Sequence, residues 1–232
     1  MKGEPQPRIC GTVAVQKKRL LRPAAEAAIS QGADLLEFRF DYLETAPEND
    51  ELTWLEDLEL PKIATVRSRG EGGAYRGPEE ERIQLLKRFS ELCEIVDIEF
   101  SSAQPDLISD LGGRAQILIS HHDFSSTPSR DRLLSLVSRS VSRGARHTKL
   151  ATKVYGPKEV LRLLRISAEV PNVVAIPMGR AGRLGRIMAP MFGSEHAYAY
   201  PVGFPPVAPG MISIRDMRMI YGRLSGFWEP PP

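Results

Sequence analysis

The chain has 232 residues, 42% hydrophobic and 26% charged, which is enough for a large buried core and fits one α/β barrel or two small domains. Its 31 basic and 29 acidic side chains leave a formal charge of +2, so no global field points to nucleic acid or an anionic membrane surface. Cys10 and Cys93 stand far apart without zinc-ligand spacing, no apolar run approaches the roughly 20 residues of a membrane span, and the start Met-Lys-Gly-Glu-Pro-Gln-Pro-Arg carries no apolar signal segment; the expected compartment is the reducing cytoplasm.

Short apolar runs at 9–15, 35–40, 62–66, 95–100, 116–120, 148–152, 173–177 and 197–200 predict eight strands. Helix-period stretches at 23–30, 78–92, 130–142, 157–168 and 184–192 fall between them, several opening on proline at the first turn, where a missing N–H is no loss; a final helix is predicted over 212–224. Strands alternating with helices predict parallel pairing through right-handed crossovers, and eight repeats predict closure into a (β/α)8 TIM barrel of the α/β class. The expected unit is one catalytic domain over 1–232 with frayed ends at 1–7 and 226–232. A doubly wound sheet ranks second, because the first strand reads Cys-Gly-Thr-Val-Ala instead of leading into a Gly-x-Gly-x-x-Gly turn. Two glycine- or proline-rich loops, 70–77 and 201–210, are placed to cover a site at the barrel mouth.

Barrel active sites form at the carboxyl ends of strands, so polar residues there carry the functional weight. In chain order they are Glu37-Phe38-Arg39-Phe40-Asp41, Arg67-Ser68, Asp97-Ile98-Glu99, His121-His122 and Lys149. Glu37 and Arg39 share a face and fit either a rim ion pair or a binding role. Arg67 fits a solvated loop or the mouth, and Glu99 faces the same choice. Adjacent strand residues point to opposite faces, so at most one of His121 and His122 serves a single site; the local sequence does not choose. His147 and Lys153 fit core, capping or rim positions. Lys149 reads either as a rim lysine snorkelling outward or as a nucleophile. A lysine amine attacks a ketone only when unprotonated, which calls for burial or neighbouring cations, and a histidine can move a proton in both directions near neutral pH. The pair suits proton abstraction next to a carbonyl. The arginines at 130, 132, 139, 143 and 146 read as a solvated helix face.

Five motifs then stand in order: Glu-Phe-Arg-Phe-Asp (37–41), Val-Arg-Ser-x-x-Glu-Gly-Gly (66–73), Asp-Ile-Glu (97–99), Ser-His-His-Asp-Phe-x-x-Thr-Pro (120–128), and Met-Gly-x-x-Gly-x-x-x-Arg (178–186) with Phe-Gly-Ser (192–194). In order and spacing the chain resembles the type I 3-dehydroquinate dehydratases over roughly 8–224. The resemblance implies a (β/α)8 barrel, usually a homodimer, that dehydrates 3-dehydroquinate to 3-dehydroshikimate in the shikimate pathway of aromatic amino-acid biosynthesis, with neither metal nor organic cofactor. It places the imine on Lys149, by motif position the general acid/base on His122, and on Glu71 the carboxylate that orients this histidine. It places Arg186 on the substrate carboxylate, and Glu37, Arg39 and Arg67 around the ring hydroxyls and the lysine, where guanidinium groups would disfavour its protonation.

The chain departs from the family in the last loop, where Val207-Ala208-Pro209-Gly210-Met211 replaces the usual serine and glutamine. Met211 thus occupies a substrate-binding position without a hydrogen-bond donor, and two lost contacts of about 1.5–3 kcal/mol each would loosen binding unless neighbours compensate. The expectation is an active dehydratase with altered lid behaviour. A weakened homologue that binds a cyclic polyhydroxy carboxylate as sensor or scaffold is the alternative. An imine-forming aldolase for a small keto acid is a further one, opposed by the Arg39, Arg67 and His122 pattern.

Overall fold

The computed structural model describes residues 7–224. Eight parallel strands follow one another around the sheet: β1 Ile9–Val13, β2 Leu35–Arg39, β3 Lys62–Thr65, β4 Ile95–Glu99, β5 Gln116–Asp123, β6 His147–Lys153, β7 Val173–Met178 and β8 Ala197–Tyr200. Between them lie α1 Leu21–Ser30, α2 Glu79–Phe89, α3 Pro105–Gly112, α4 Arg130–Ser142, α5 Pro157–Glu169 and α6 Arg183–Met188. The β2–β3 connection holds a 3-10 segment, Asn49–Leu55, in place of an α-helix. A ninth strand of two residues, β9 Ile212–Ser213, runs into α7 Ile214–Leu224.

From β1 to β7 each strand is joined to the next by a parallel ladder, and β8 is joined to β1 and β9, giving the order β7-β6-β5-β4-β3-β2-β1-β8-β9. Curling brings β7 and β8 together, where the Glu195 N–H donates to the Val173 carbonyl at 3.0 Å and the Ala175 N–H donates to Ser194 Oγ at 3.0 Å. The seam therefore rests on one backbone bond and one side chain in place of a full ladder. The result is the expected TIM-barrel-like fold, with strands buried on both faces as parallel sheets require. All five residues of β1 are buried.

The outer face packs on the helices. Helix α1 presents Ala24, Ala25 and Ala28, small enough to lie almost on the sheet: a Cβ at Gly11 would come within 2.9 Å of the Ala28 Cβ. Arg139 and Arg143, expected to be solvated, instead stack over the Phe100 ring at 4.8 and 4.2 Å, and Arg143 donates to the Phe100 carbonyl at 2.7 Å. Of the expected frayed ends, Pro7 is held through its carbonyl by Arg218; residues 1–6 and 226–232 lie outside the described residues. Among the described residues, no helix is long and apolar enough to cross a membrane.

Candidate active site

Strand alternation sorts the barrel interior into layers, because every second residue points inward. The lower layer is apolar: Cys10, Leu35, Ile63, Val174 and Tyr198 pack in one buried cluster. Two residues further along the strands stand Thr12, Glu37, Thr65 and Asp97, with Ser120 and Lys149 from β5 and β6, all buried. The next step up holds Arg39, Arg67, Glu99 and His122. The polar strand ends noted in the sequence are thus one stacked site.

Lys149 Nζ makes an ion pair with Asp97, and lies 3.3 Å from Glu37 Oε1 and 3.4 Å from the Tyr198 hydroxyl, whose ring centroid is 4.7 Å away. Asp97 also accepts from Ser120 Oγ at 2.6 Å and pairs with Arg67 Nη2 at 2.7 Å. Burial alone would raise the Asp97 carboxyl, but Arg67 and Lys149 outweigh it and hold it well below the ordinary carboxylate range. Burial likewise opposes the Arg67 guanidinium, yet Asp97 and Glu99 keep it charged. Glu99 continues the network to Arg82 Nη1 at 2.5 Å and to the Ser68 N–H at 2.9 Å. Buried charges are tolerated here because each meets an opposite charge or a hydrogen bond.

The geometry decides between the two readings left open for Glu37 and Arg39 and corrects one sequence expectation. Arg39 does not pair with Glu37; it grips Asp41 in a bidentate contact of 2.9 and 2.8 Å, and Asp41 in turn accepts the Ala74 N–H, tying the 70–77 loop to β2. The guanidinium groups expected beside the amine are each engaged by an acid, so the nearest neighbours of Nζ are two carboxylates and a phenol.

At the rim, His122 Nδ1 and Glu71 Oε2 are 2.8 Å apart. Strand β5 runs to Asp123, past the expected end at 120, so both histidines belong to it and alternation separates them: His122 follows Ser120 inward and His121 faces away. Glu71 reaches His122 because the chain folds sharply behind it. Gly72 takes a left-handed φ of 76°, and a Cβ at Gly73 would sit 2.0 Å from the Arg67 carbonyl, so only glycine fits. The Phe124 ring stacks beside His122 at 6.2 Å and lies against Gly72. Burial pushes the Glu71 carboxyl up to about 7. Burial, with Arg67 and Lys149 adding to it, pulls the His122 imidazole well below its usual value, so the ring is a neutral base at pH 7.

Arg186 reaches the cavity from α6, where its Nε donates to the Pro177 carbonyl at 3.0 Å. It joins no ion pair among the described residues, and burial lowers it to about 10. A guanidinium held by one carbonyl and facing a cavity suits a carboxylate from outside. Over the top comes the 201–210 loop, whose Gly210 has a φ of 82° and passes so close to the Gly179 carbonyl that a Cβ would be 2.8 Å from it.

Lys149, His122, Glu71, Glu37, Arg39, Arg67, Arg186 and Met211 all line one cavity of about 300 Å³, together with Val207, Ala208 and Pro209. Both loops noted in the sequence contribute to it. Asp97, Ser120, Thr12 and Tyr198 are part of the same site and were not assigned from sequence. The signal for Asp97 was its shared parity with Glu99. Tyr198 lay unread in an apolar run, Ala-Tyr-Ala-Tyr.

The sequence model of the family described as Type I 3-dehydroquinase matches residues 9–226. The 3-dehydroquinate dehydratase of Methanococcoides burtonii is 35% identical over 224 residues, 93% of either chain. That of Methanothermobacter thermautotrophicus is 35% identical over 217 residues, covering 94% of this chain and 97% of its own. The crystal structure of 3-dehydroquinate dehydratase from Geobacillus kaustophilus HTA426 superposes with a TM-score of 0.87 at 26% identity, covering 97% of this chain and 93% of that one.

Proposed function

Since this chain belongs to the type I 3-dehydroquinase family, we propose that Lys149, His122 and Glu71 carry the reaction and that Arg186, Arg39, Arg67 and Glu37 hold its substrate. The activity is that of a 3-dehydroquinate dehydratase, a hydro-lyase of the shikimate pathway. The observation that supports these roles is the one cavity faced by a buried lysine, a neutral histidine with a carboxylate on its far nitrogen, and an arginine without an acid partner.

The chemistry follows from that arrangement. Lys149 gives up a proton to Glu37, 3.3 Å from Nζ, because Asp97 is held too acidic to take it; the amine adds to the ring ketone, and the former ketone oxygen leaves as water with that proton returned, so that an iminium forms. The iminium withdraws electrons and acidifies the adjacent C–H. His122 takes this proton: Nδ1 faces Glu71, which leaves Nε2 to act as base. The enamine then expels the C1 hydroxyl, which leaves as water with the proton returned by the imidazolium, and a second water releases product from Lys149. Arg186 anchors the carboxylate, so the ring is presented to lysine and histidine in one orientation. The apolar lid residues Val207 and Met211 offer no hydrogen bonds in return, and the substrate is held mainly from below.

The test is turnover of 3-dehydroquinate, followed as absorbance of the conjugated enone, alongside borohydride trapping and mass spectrometry. Turnover with an adduct on Lys149 is the expected result, and Lys149→Ala should abolish both. Normal turnover in Lys149→Ala would refute the imine. The chain is further proposed to act in the cytoplasm as a homodimer, a state that light scattering in solution would read directly.

A further inference from the structure

We propose that Tyr198 is a further catalytic residue of the imine-forming step, a neutral phenol that relays a proton from the Lys149 nitrogen to the former ketone oxygen. The inference rests on the imine reading above and goes beyond it in naming what completes the addition.

Tyr198 sits on β8, 6% exposed, with its hydroxyl 3.4 Å from Lys149 Nζ. An ammonium is a donor only, so the phenol oxygen accepts from it, and the phenol's own hydrogen is left over. That hydrogen has no acceptor among the described residues, since Lys149 is the hydroxyl's one hydrogen-bond partner there. Buried hydroxyl hydrogens are ordinarily paired, and this one belongs to a residue that lines the cavity. Its acceptor is therefore something that enters the cavity.

No other lining group sets a free hydroxyl hydrogen beside Nζ. Thr12 directs its hydroxyl to Glu37, and the loop above contributes Val207, Ala208, Pro209 and Met211, none with a side-chain donor. When the neutral Lys149 amine attacks, the N–C bond forms and the carbonyl π pair moves onto oxygen, leaving a positive nitrogen and a negative oxygen on one carbon. That oxygen lies within reach of a hydroxyl already in contact with the nitrogen. Tyr198 gives its hydrogen to the oxygen as it takes one from the nitrogen. One proton moves from N to O, and the phenol is neutral before and after. Burial, with Glu37 and Cys10 adding to it, raises the phenol well above its ordinary range, which keeps it from ionising at rest. The same exchange in reverse serves the hydrolysis that frees the product.

The test is Tyr198→Phe, which keeps the ring against Nζ and removes only the hydroxyl. Rapid mixing with 3-dehydroquinate, quenching with borohydride and counting Lys149 adduct by mass spectrometry should show adduct formation slowed by roughly 10²-fold or more, with kcat falling in step and KM little changed. A tyrosine that merely filled the barrel would leave the adduct rate unmoved, and adduct formation and kcat at wild-type rates in Tyr198→Phe would overturn the proposal. Absence of adduct in the wild type would instead sink the imine reading itself. Should Tyr198→Phe fail to fold, wild-type adduct formation is compared in H2O and D2O: a slower rate in D2O supports the relay, and equal rates overturn it.

Discussion

Glu71 and His122 face each other at 2.8 Å in surroundings that push both toward their neutral forms, and the chemistry depends on which of them holds the shared proton. With Glu71 ionised, Nδ1 donates to it and Nε2 is free to act as base. As the pH falls through about 7 the carboxyl takes up a proton and donates to Nδ1, so the ring's hydrogen moves to Nε2 and the base is lost. The value of kcat/KM should therefore drop with unit slope below pH 7. Glu71→Gln should remove that limb and lower kcat by about 10–100-fold. The same shift bears on stability. A carboxyl raised from 4.5 to about 7 opposes folding once the unfolded chain can ionise it, so its contribution is intact below 4.5 and lost as the pH climbs to 7. Glu71→Gln should then be the more stable protein at pH 8, by up to about 3 kcal/mol in urea unfolding, and equal stability at pH 8 would contradict the raised carboxyl. Much of this residue-level picture was legible beforehand: His122, Glu71 and Arg186 sit at motif positions, Lys149 stands in the apolar run that follows the two histidines, and alternation along β5 explains why only one histidine faces in. The partners of each charge were not legible. Lys149 turns to Asp97 on another strand, a pairing that depends on barrel register, which a local pattern does not contain; Arg39 turns to Asp41, two residues away, where Asp41 also accepts the Ala74 N–H from the 70–77 loop.

At the level of elements, the eight apolar runs locate the strands because parallel strands are buried on both faces and read as near-continuous hydrophobic stretches. Their ends were less legible. Strands β5 and β6 extend past their apolar runs to Asp123 and Lys153, since the pairing continues through polar residues that face the mouth. The predicted helix 212–224 begins with two residues paired to β8 instead, and the eight-residue α3 was too short to show a period. The 201–210 loop was recognised as a cover, but the fate of Met211 required the structure: it is 8% exposed and packs with Cys10, Leu35, Ile63, Val174 and Tyr198. A family-like glutamine there would have to bury its amide among these groups. Met211→Gln is accordingly expected to lower stability by about 1–3 kcal/mol, read as a fall in Tm. An unchanged Tm together with a lower KM would mean that the amide points to substrate, and that the lid lost its polar contact without a packing reason.

For the whole molecule, eight repeats specified the closed barrel, while the single backbone bond and the Ser194 contact at the β7–β8 seam were set by where the closing ends met. Closure also fixes how the protein responds to acid. It encloses His196 beneath Tyr198, with ring centroids 4.9 Å apart and Nε2 without a partner among the described residues, and burial lowers this imidazole from 6.5 to about 3. Such a histidine must stay neutral in the folded state while the unfolded chain binds a proton below 6.5, so stability falls as the pH drops from 6.5 toward 3. Near pH 5 this amounts to about 2 kcal/mol from His196 alone. Asp97 does not offset it, since a carboxyl held low keeps its full contribution above the unfolded value of 3.8 and loses it only below. Glu71 acts in the opposite direction, gaining stability as the pH falls from 7 to 4.5. Comparing His196→Phe with the wild type cancels Glu71, because both proteins carry it. Urea unfolding at pH 7.5 and pH 5 should show the wild type losing about 2 kcal/mol more than His196→Phe between the two conditions, whatever the substitution costs in packing at pH 7.5. Equal losses would mean that water reaches His196 through the seam and lets it take up a proton while folded, so that the ring of strands is open to solvent at its floor.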